Sequence, residues 1–340
     1  MAITDATVAQ AICVQPVEAQ AFAWSRALIF PGQGSQAVGM GKDLVRQFPS
    51  AASVFGEVDD ALGQRLFRLM TEGPEDELTL TGNAQPALMA LSMAILHVLQ
   101  VEFGIEVTRL ARFVAGHSLG EYTALTAAGS FSVGDAARLL RKRGLAMQTA
   151  VPVGEGAMAA LIGADLAAAT EIAEEATRDS YDGGVCVAAN DNAPGQIVIS
   201  GNRTAVERAI EIASLKGIKR SVLLPVSGPF HCPLMAPVAD VMAEALAAVV
   251  VNAPIIPLVS NVTARPVSDP TTIRHLLVRQ VTGMVRWRES CLYMQSQGIA
   301  ELIEIGPGKV LSGLAKRIDR RLCGRSVDGP QGIEGLVQAL

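Results

Sequence analysis

The sequence predicts an α/β fold, a mainly parallel sheet layered with helices and interrupted by one small inserted unit. Three observations lead there. Short apolar strands alternate with longer helical segments, a Gly-x-Ser-x-Gly turn joins a strand to a helix, and the rhythm changes between Gly156 and Ser227. The 340 residues are 50% hydrophobic and 18% charged, enough for a large core and a prior for about two domains. Aromatics are only 4%, so Ala, Leu, Val and Ile must fill that core.

In chain order, residues 1–25 carry Asp5 and Glu18 and have no basic start before an apolar run. They read as a disordered leader rather than a secretory signal. The first strand, 27–30, opens the loop Pro31-Gly32-Gln33-Gly34-Ser35-Gln36. Helical periodicity runs through 43–48, 51–69 and the apolar stretch from Pro86. Ser92, His97 and Gln100 interrupt that stretch, which is too short and polar for a span of about 20 residues. It reads as a buried helix despite a mean hydropathy of +0.33. A buried strand, 112–115, runs into the serine turn, and a helix covers 135–148.

The insertion follows: strand 157–162, helix 165–178, strands 185–189 and 196–200 around a turn over 190–195, helix 204–215, strand 220–224. The order β-α-β-β-α-β is that of a ferredoxin-like unit. The main core is therefore expected over 26–155 and 225–325, the insertion over 156–224, and a tail over 326–340.

A net charge of −5 argues against a nucleic-acid partner. Five cysteines (Cys13, Cys186, Cys232, Cys291, Cys323) form no C-x-x-C pair, which points to reduced thiols in the cytoplasm, with no metal site and no disulfide framework.

Gly116-His117-Ser118-Leu119-Gly120 is the chemical centre. A serine between a strand and a helix, bracketed by glycines that fit a sharp turn, has the arrangement of a nucleophile elbow. The helix N-terminus then stabilises developing negative charge. An N-cap serine without chemistry is the plain alternative. His117 should point away from Ser118, because adjacent side chains in an extended segment diverge. His97 lies in the apolar helix and His275 on a surface helix, so His231, in the turn-rich Val226-Ser227-Gly228-Pro229-Phe230-His231-Cys232-Pro233, is the best base. Gly32-Gln33-Gly34 fails both nucleotide-loop spacings, and Gly306-Pro307-Gly308-Lys309 reads as a turn before a helix. The first loop offers either a tight turn or a backbone N–H for an oxyanion. On the 135–148 helix, Arg143 falls among Ala136, Leu139, Leu140 and Met147, while Arg138, Arg141 and Lys142 suit solvent. A core-facing arginine needs an anion, either an internal carboxylate or that of a substrate.

These pieces together resemble the malonyl-CoA:acyl-carrier-protein transacylases. The likeness runs from Arg26 to Asp319 and rests on Phe30–Gln36, Gln85-Pro86-Ala87, Gly116–Tyr122, Arg143-Gly144, Phe230-His231 and Glu304–Leu311. The resemblance implies an α/β-hydrolase-like core with the ferredoxin-like insertion, Ser118 as nucleophile and His231 as its base. It further implies that a backbone carbonyl of Gln280 orients His231, that the N–H groups of Gln33 and Leu119 form the oxyanion hole, and that Arg143 holds the malonyl carboxylate. Phe230 corresponds to the malonyl-selecting form. Malonyl-CoA and holo-acyl carrier protein are the implied substrates, with no bound cofactor, no membrane and a monomeric chain; the absence of neighbouring domains favours fatty-acid over polyketide synthesis. One departure stands out: Val281-Thr282-Gly283-Met284 precedes Val285-Arg286-Trp287, where many relatives carry a proline. A flexible Gly283 would alter how the loop holds Gln280.

The carrier protein's acidity calls for a basic docking patch, with Lys216, Lys219 and Arg220, or Lys316, Arg317, Arg320 and Arg321, as candidates. The rivals are a lipid acyl hydrolase with a Ser–Asp dyad, using Asp182 of Asp182-Gly183-Gly184, and a non-catalytic carrier-binding module.

Overall fold

The computed structural model describes residues 25–180 and 183–340. The expected leader, except Ser25, and Asp182 lie outside the described residues. Ten strands form two sheets among them. The first contains β1 (Arg26–Phe30), β2 (Phe113–Gly116), β7 (Leu258–Val259), β8 (Pro266–Val267), β9 (Glu301–Ile305) and β10 (Cys323–Val327). The second contains β3 (Gly156–Ile162), β4 (Cys186–Ala193), β5 (Gln196–Asn202) and β6 (Arg220–Leu223).

The order of the first sheet is β10-β9-β1-β2-β7-β8, parallel except for the β7–β8 edge pair. Strand β1 shows why helices cover both faces. All five residues are buried; Leu28 and Phe30 join one core, while Ala27 and Ile29 join another. Alternation of side chains delivers apolar groups to both faces, as a covered parallel sheet requires. On the Leu28 face lie α1 (Thr81–Phe103), α2 (Leu119–Ala127) and α3 (Val133–Thr149).

Helix α1 is long and apolar enough to cross a membrane, yet most of it is buried among neighbouring elements, as expected of a core helix. It starts at Thr81 and contains Pro86. Proline has no N–H for the Gly82 carbonyl four residues back. Arg141 supplies the donor instead, with Nη1 3.0 Å from Gly82 O. Its expected place in solvent is thus corrected: it repairs the helix that Pro86 interrupts. The helix expected over 51–69 is also two, Ala52–Leu62 and Leu66–Glu72, because Gly63 takes a left-handed φ of 58°.

The second sheet has the order β4-β5-β3-β6, all antiparallel, with α4 (Leu166–Arg178) after β3 and α5 (Arg203–Leu215) after β5. Ala157, Ala159 and Leu161 pack on these helices, whereas Met158, Ala160 and Val198 face the main core. Asn190, Asp191 and Asn192 are strand residues, not the turn that their composition suggested. Two register shifts let β4 continue through them, and the turn shrinks to Pro194-Gly195. Their polarity is satisfied across the molecule. The Asp191 N–H donates to Val285 O at 2.9 Å, Val285 N–H to Ala189 O at 2.9 Å, and the buried Asp191 carboxylate pairs with Arg288 at 2.7 Å.

Three further helices complete the region around the site: α6 (Pro270–Thr282), α7 (Trp287–Ser296) and α8 (Val310–Ile318). At the end of the chain, α9 (Pro330–Val337) sinks Ile333 and Leu336 into the main core. Cys186, Cys232, Cys291 and Cys323 are free thiols. No group of three or more His, Cys, Asp or Glu residues among the described residues is arranged to hold a metal.

Candidate active site

Strands β1, β2 and β7 run parallel, so their carboxyl ends share one edge of the sheet, and the loops leaving them converge there. Ser118 leaves β2 at φ 54°, ψ −110°, a strained conformation at the cap of α2. The flanking glycines permit it. A Cβ on Gly116 would stand 1.9 Å from Gly120 O, and one on Gly120 would stand 2.3 Å from Phe30 O. Asn261, just beyond β7, fixes the turn: its Oδ1 accepts the Ser118 N–H at 2.8 Å and its Nδ2 donates to Gly116 O at 2.6 Å. His117 turns to Asn192 Oδ1 at 2.8 Å, away from partnership with the serine.

His231 also holds a positive φ, 60°, and is buried. Its Nε2 lies 2.8 Å from Ser118 Oγ. Its Nδ1 faces two carbonyls, Gln280 O at 2.9 Å and Gly283 O at 3.2 Å, so the proton sits on Nδ1 and Nε2 is the acceptor. Burial, reinforced by the Arg143 charge, pushes His231 down to about 3 and keeps it neutral. The pair can therefore move a proton from the Ser118 hydroxyl to Nε2. Gly283 is not the flexible point its sequence suggested. A Cβ there would meet Arg279 O at 2.8 Å and Val262 Cγ1 at 2.9 Å, so the loop is packed, and its carbonyl is a second support for the histidine.

Arg143, on the buried face of α3, reaches the same point. Nη2 donates to Ser118 Oγ at 3.1 Å and Gln280 Oε1 at 2.9 Å, and Nη1 to Gln85 Oε1 at 3.0 Å. Its Nε has no partner, and no described carboxylate lies within salt-bridge distance. Of the two anions a core arginine could use, the internal one is missing from direct contact. Burial pushes the guanidinium down from its ordinary value, with nearby Tyr122 and Glu121 opposing that shift.

A cavity of about 340 Å³ opens over these groups, lined among others by Gln33, Ser118, Leu119, Arg143, Phe230 and His231. No described residue accepts from the backbone N–H of Gln33 or Leu119. Helix α8 also lines the cavity, with Val310, Leu311 and Leu314. The buried Glu304 of β9 caps that helix, accepting from Leu311 N at 3.2 Å and Ser312 N at 2.7 Å. The seven residues singled out from the sequence (Ser118, His231, Gln280, Gln33, Leu119, Arg143 and Phe230) are thus brought to one place.

The acyl transferase domain family matches residues 27–319. The chain belongs to that family. The malonyl CoA-acyl carrier protein transacylase of Bacillus subtilis (strain 168) is 46% identical over 314 residues, 92% of this chain and 96% of the relative. The solved acyl-carrier-protein-S-malonyltransferase from Bartonella henselae is 55% identical, with a TM-score of 0.89 over 93% of this chain and 99% of that one. A solved malonyl-transacylase in complex with its type II PKS acyl carrier protein is 41% identical, with a TM-score of 0.88 over 93% of this chain and 100% of that one.

Sequence reasoning missed three polar groups of this acyltransferase's site. Gln85 and Glu121 were noticed only as parts of motifs, and Asn261 not at all. Glu121 is wholly buried and accepts from Gln280 Nε2 at 2.6 Å and Asn261 N at 3.3 Å. The signal available was its place in the first turn of α2, on a helix whose every residue is buried.

Proposed function

We propose that this acyltransferase carries a malonyl group from malonyl-CoA to the phosphopantetheine thiol of an acyl carrier protein, in fatty-acid synthesis, as a malonyl ester of Ser118. One observation carries the reading: a buried guanidinium 3.1 Å from the nucleophilic oxygen, without a carboxylate of its own. A cation so placed suits an acyl group that arrives with an anion. The names of the relatives support the same substrate pair.

In the proposed cycle Ser118 Oγ attacks the thioester carbon as its proton passes to His231 Nε2. The N–H groups of Gln33 and Leu119 receive the developing oxyanion. The C–S bond breaks, and the CoA sulfur leaves with the proton from His231. The carrier thiol then gives its proton to His231 and attacks the ester carbon, and Ser118 Oγ leaves with that proton. Gln280 O, assisted by Gly283 O, holds the imidazole in the required tautomer. Phe230 narrows the space for an α-methyl branch. The reading calls for no resident cofactor.

We further read 26–155 with 225–325 as an α/β-hydrolase-like core and 156–224 as a ferredoxin-like insertion, in a monomeric, cytoplasmic chain. The complex of a relative with its carrier protein supports that partner. Among the docking candidates, Lys216 pairs with Glu171 and Glu175 and Arg321 with Asp319, which favours Lys219, Arg220, Lys316, Arg317 and Arg320 as carrier contacts. The same complex, with a type II PKS carrier, favours a second reading in which the pathway is polyketide synthesis. The hydrolase rival needs Asp182, outside the described residues, and leaves His231 unused.

Intact mass tests the reading: incubation with malonyl-CoA should add one malonyl group, absent in Ser118→Ala, and holo-carrier protein should remove it. An adduct that forms in Ser118→Ala, or one that only water removes, refutes it.

A further inference from the structure

The dyad and the arginine meet in one side chain, Gln280. Its backbone carbonyl holds His231 Nδ1, and its side-chain Oε1 accepts from Arg143 Nη2. The amide can do the second job only in one orientation. Rotated by half a turn, it would present an NH₂ group to the guanidinium, donor against donor. What fixes the orientation lies on the other side of the amide. Nε2 donates to Ser118 O at 2.8 Å and to Glu121 Oε2 at 2.6 Å, so both of its hydrogens are taken. Ser118 O also accepts the Glu121 N–H at 3.0 Å, and Asn261 Oδ1, a third acceptor at 3.4 Å, already takes the Ser118 N–H, which leaves Glu121 Oε2 as the acceptor dedicated to Gln280. The other carboxylate oxygen accepts from Asn261 N, at the turn that pins Ser118.

We infer that Glu121 is a positioning residue for malonyl transfer: its carboxylate locks the Gln280 amide, which in turn aims Arg143 at the acyl carboxylate. The inference rests on the malonyl reading of Arg143. A wholly buried carboxylate is costly unless it is fully hydrogen-bonded and matched by charge. Here the match is Arg143, one amide away, with charge-assisted bonds along the relay Glu121–Gln280–Arg143. This also explains why the guanidinium needs no direct ion pair in the resting site. A counter-charge at one remove lowers the cost of burial and leaves Nε, which has no partner, unclaimed by an internal carboxylate.

The role predicts a selectivity effect that simple packing would not produce. The rate of Ser118 acylation is measured by quenched intact mass with malonyl-CoA and with acetyl-CoA, on wild type, Glu121→Ala and Glu121→Gln. Thermal unfolding checks the fold of each. Glu121→Ala should slow malonyl acylation by roughly 10–100-fold, the loss expected for a buried charge-assisted bond, and acetyl acylation much less. Glu121→Gln keeps one acceptor oxygen and should recover part of the loss. In a Gln280→Ala background, Glu121→Gln and Glu121→Ala should produce no further change in the malonyl-to-acetyl ratio, because the relay is already cut.

Equal losses for both acyl donors, or a Gln variant as impaired as the Ala variant, overturn the inference, as does full additivity with Gln280→Ala. If Glu121→Ala does not fold, Glu121→Gln and its cycle with Gln280→Ala decide the matter through the ratio alone. The wild-type arm separates the two levels: no malonyl adduct refutes the malonyl reading itself, whereas an adduct with an unaltered ratio in the variants refutes only the role of Glu121.

Discussion

Replacing Arg143 is the sharpest test of how this site selects its acyl group. Its guanidinium is buried, presents two nitrogens toward the nucleophile and glutamine side chains, and sits 3.1 Å from Ser118 Oγ. A malonyl group on Ser118 places its carboxylate three bonds beyond Oγ, within reach of those donors. Truncating one partner of a buried, hydrogen-bonded charge pair costs about 2–5 kcal/mol. The upper part of that range applies, because Arg143 is the one Lys or Arg among the described residues that line the cavity. About 3–5 kcal/mol corresponds to a roughly 10²–10⁴-fold slower malonyl acylation. Acetyl-CoA has no carboxylate, so its acylation rate should change by no more than a factor of a few. The assay is quenched-flow intact mass on Arg143→Ala with both thioesters. Arg143→Met, which fills the same volume, controls for the cavity and for the glutamine acceptors left behind. Equal slowing of malonyl and acetyl transfer would refute the carboxylate clamp.

Three other outcomes follow from the geometry. Gly120→Ala forces a Cβ to within 2.3 Å of Phe30 O, which should destabilise the fold by about 3 kcal/mol or more, read as a lowered thermal midpoint. Gly283→Ala must shift the loop away from Arg279 O and Val262, carrying its carbonyl off His231; both acyl donors should slow alike, by up to roughly 10²-fold, in single-turnover acylation. The pH profile of malonyl acylation should fall on the acid side as Glu121 protonates. Burial pushes that carboxyl up to about 7, against the hydrogen bond from Gln280, while His231 stays neutral down to about 3. Arg143 is the charged group facing Glu121, Gln280 and Asn261 face it as neutral amides, and the Tyr122 phenol beside it is pushed up to about 12. The carboxylate is the working form, so activity is present above about 7 and lost as pH falls through it. Glu121→Gln should abolish this limb; a limb that persists unchanged belongs to another group.

What the sequence made legible follows the range of the interactions involved. Ser118 could be read because its requirements are local: two glycines, a strand before and a helix after. Arg143 could be read because helical spacing places it on an apolar face, where a charge is conspicuous. His231 emerged by elimination among four histidines, and Gln280 only through resemblance, since its useful atom is a backbone carbonyl that no side-chain pattern advertises. Asn261 went unseen, and Glu121 was seen only as a member of the Gly116–Tyr122 motif, because their partners lie about 140 residues away and neither breaks a local rule. The turn assigned to 190–195 failed for a related reason. Asn-Asp-Asn is turn chemistry on its own, but Arg288, Val285 and His117 satisfy these residues from outside the hairpin. Arg141 was sent to solvent because the carbonyl freed by Pro86 belongs to a different helix.

The pairing of β4 with the chain at Val285 has a mechanical consequence. Had the two sheets been joined only by the chain crossings before β3 and after β6, they could flex like the halves of a hinge. Instead, backbone bonds and the buried Asp191–Arg288 pair form a seam two residues from the Gly283 carbonyl on which His231 rests. Spreading the walls of the cavity would shear that seam and drag the base off its serine. The width of the cavity is therefore geared to the alignment of the dyad, and a bulkier acyl group must be accommodated by turning side chains rather than by parting the walls.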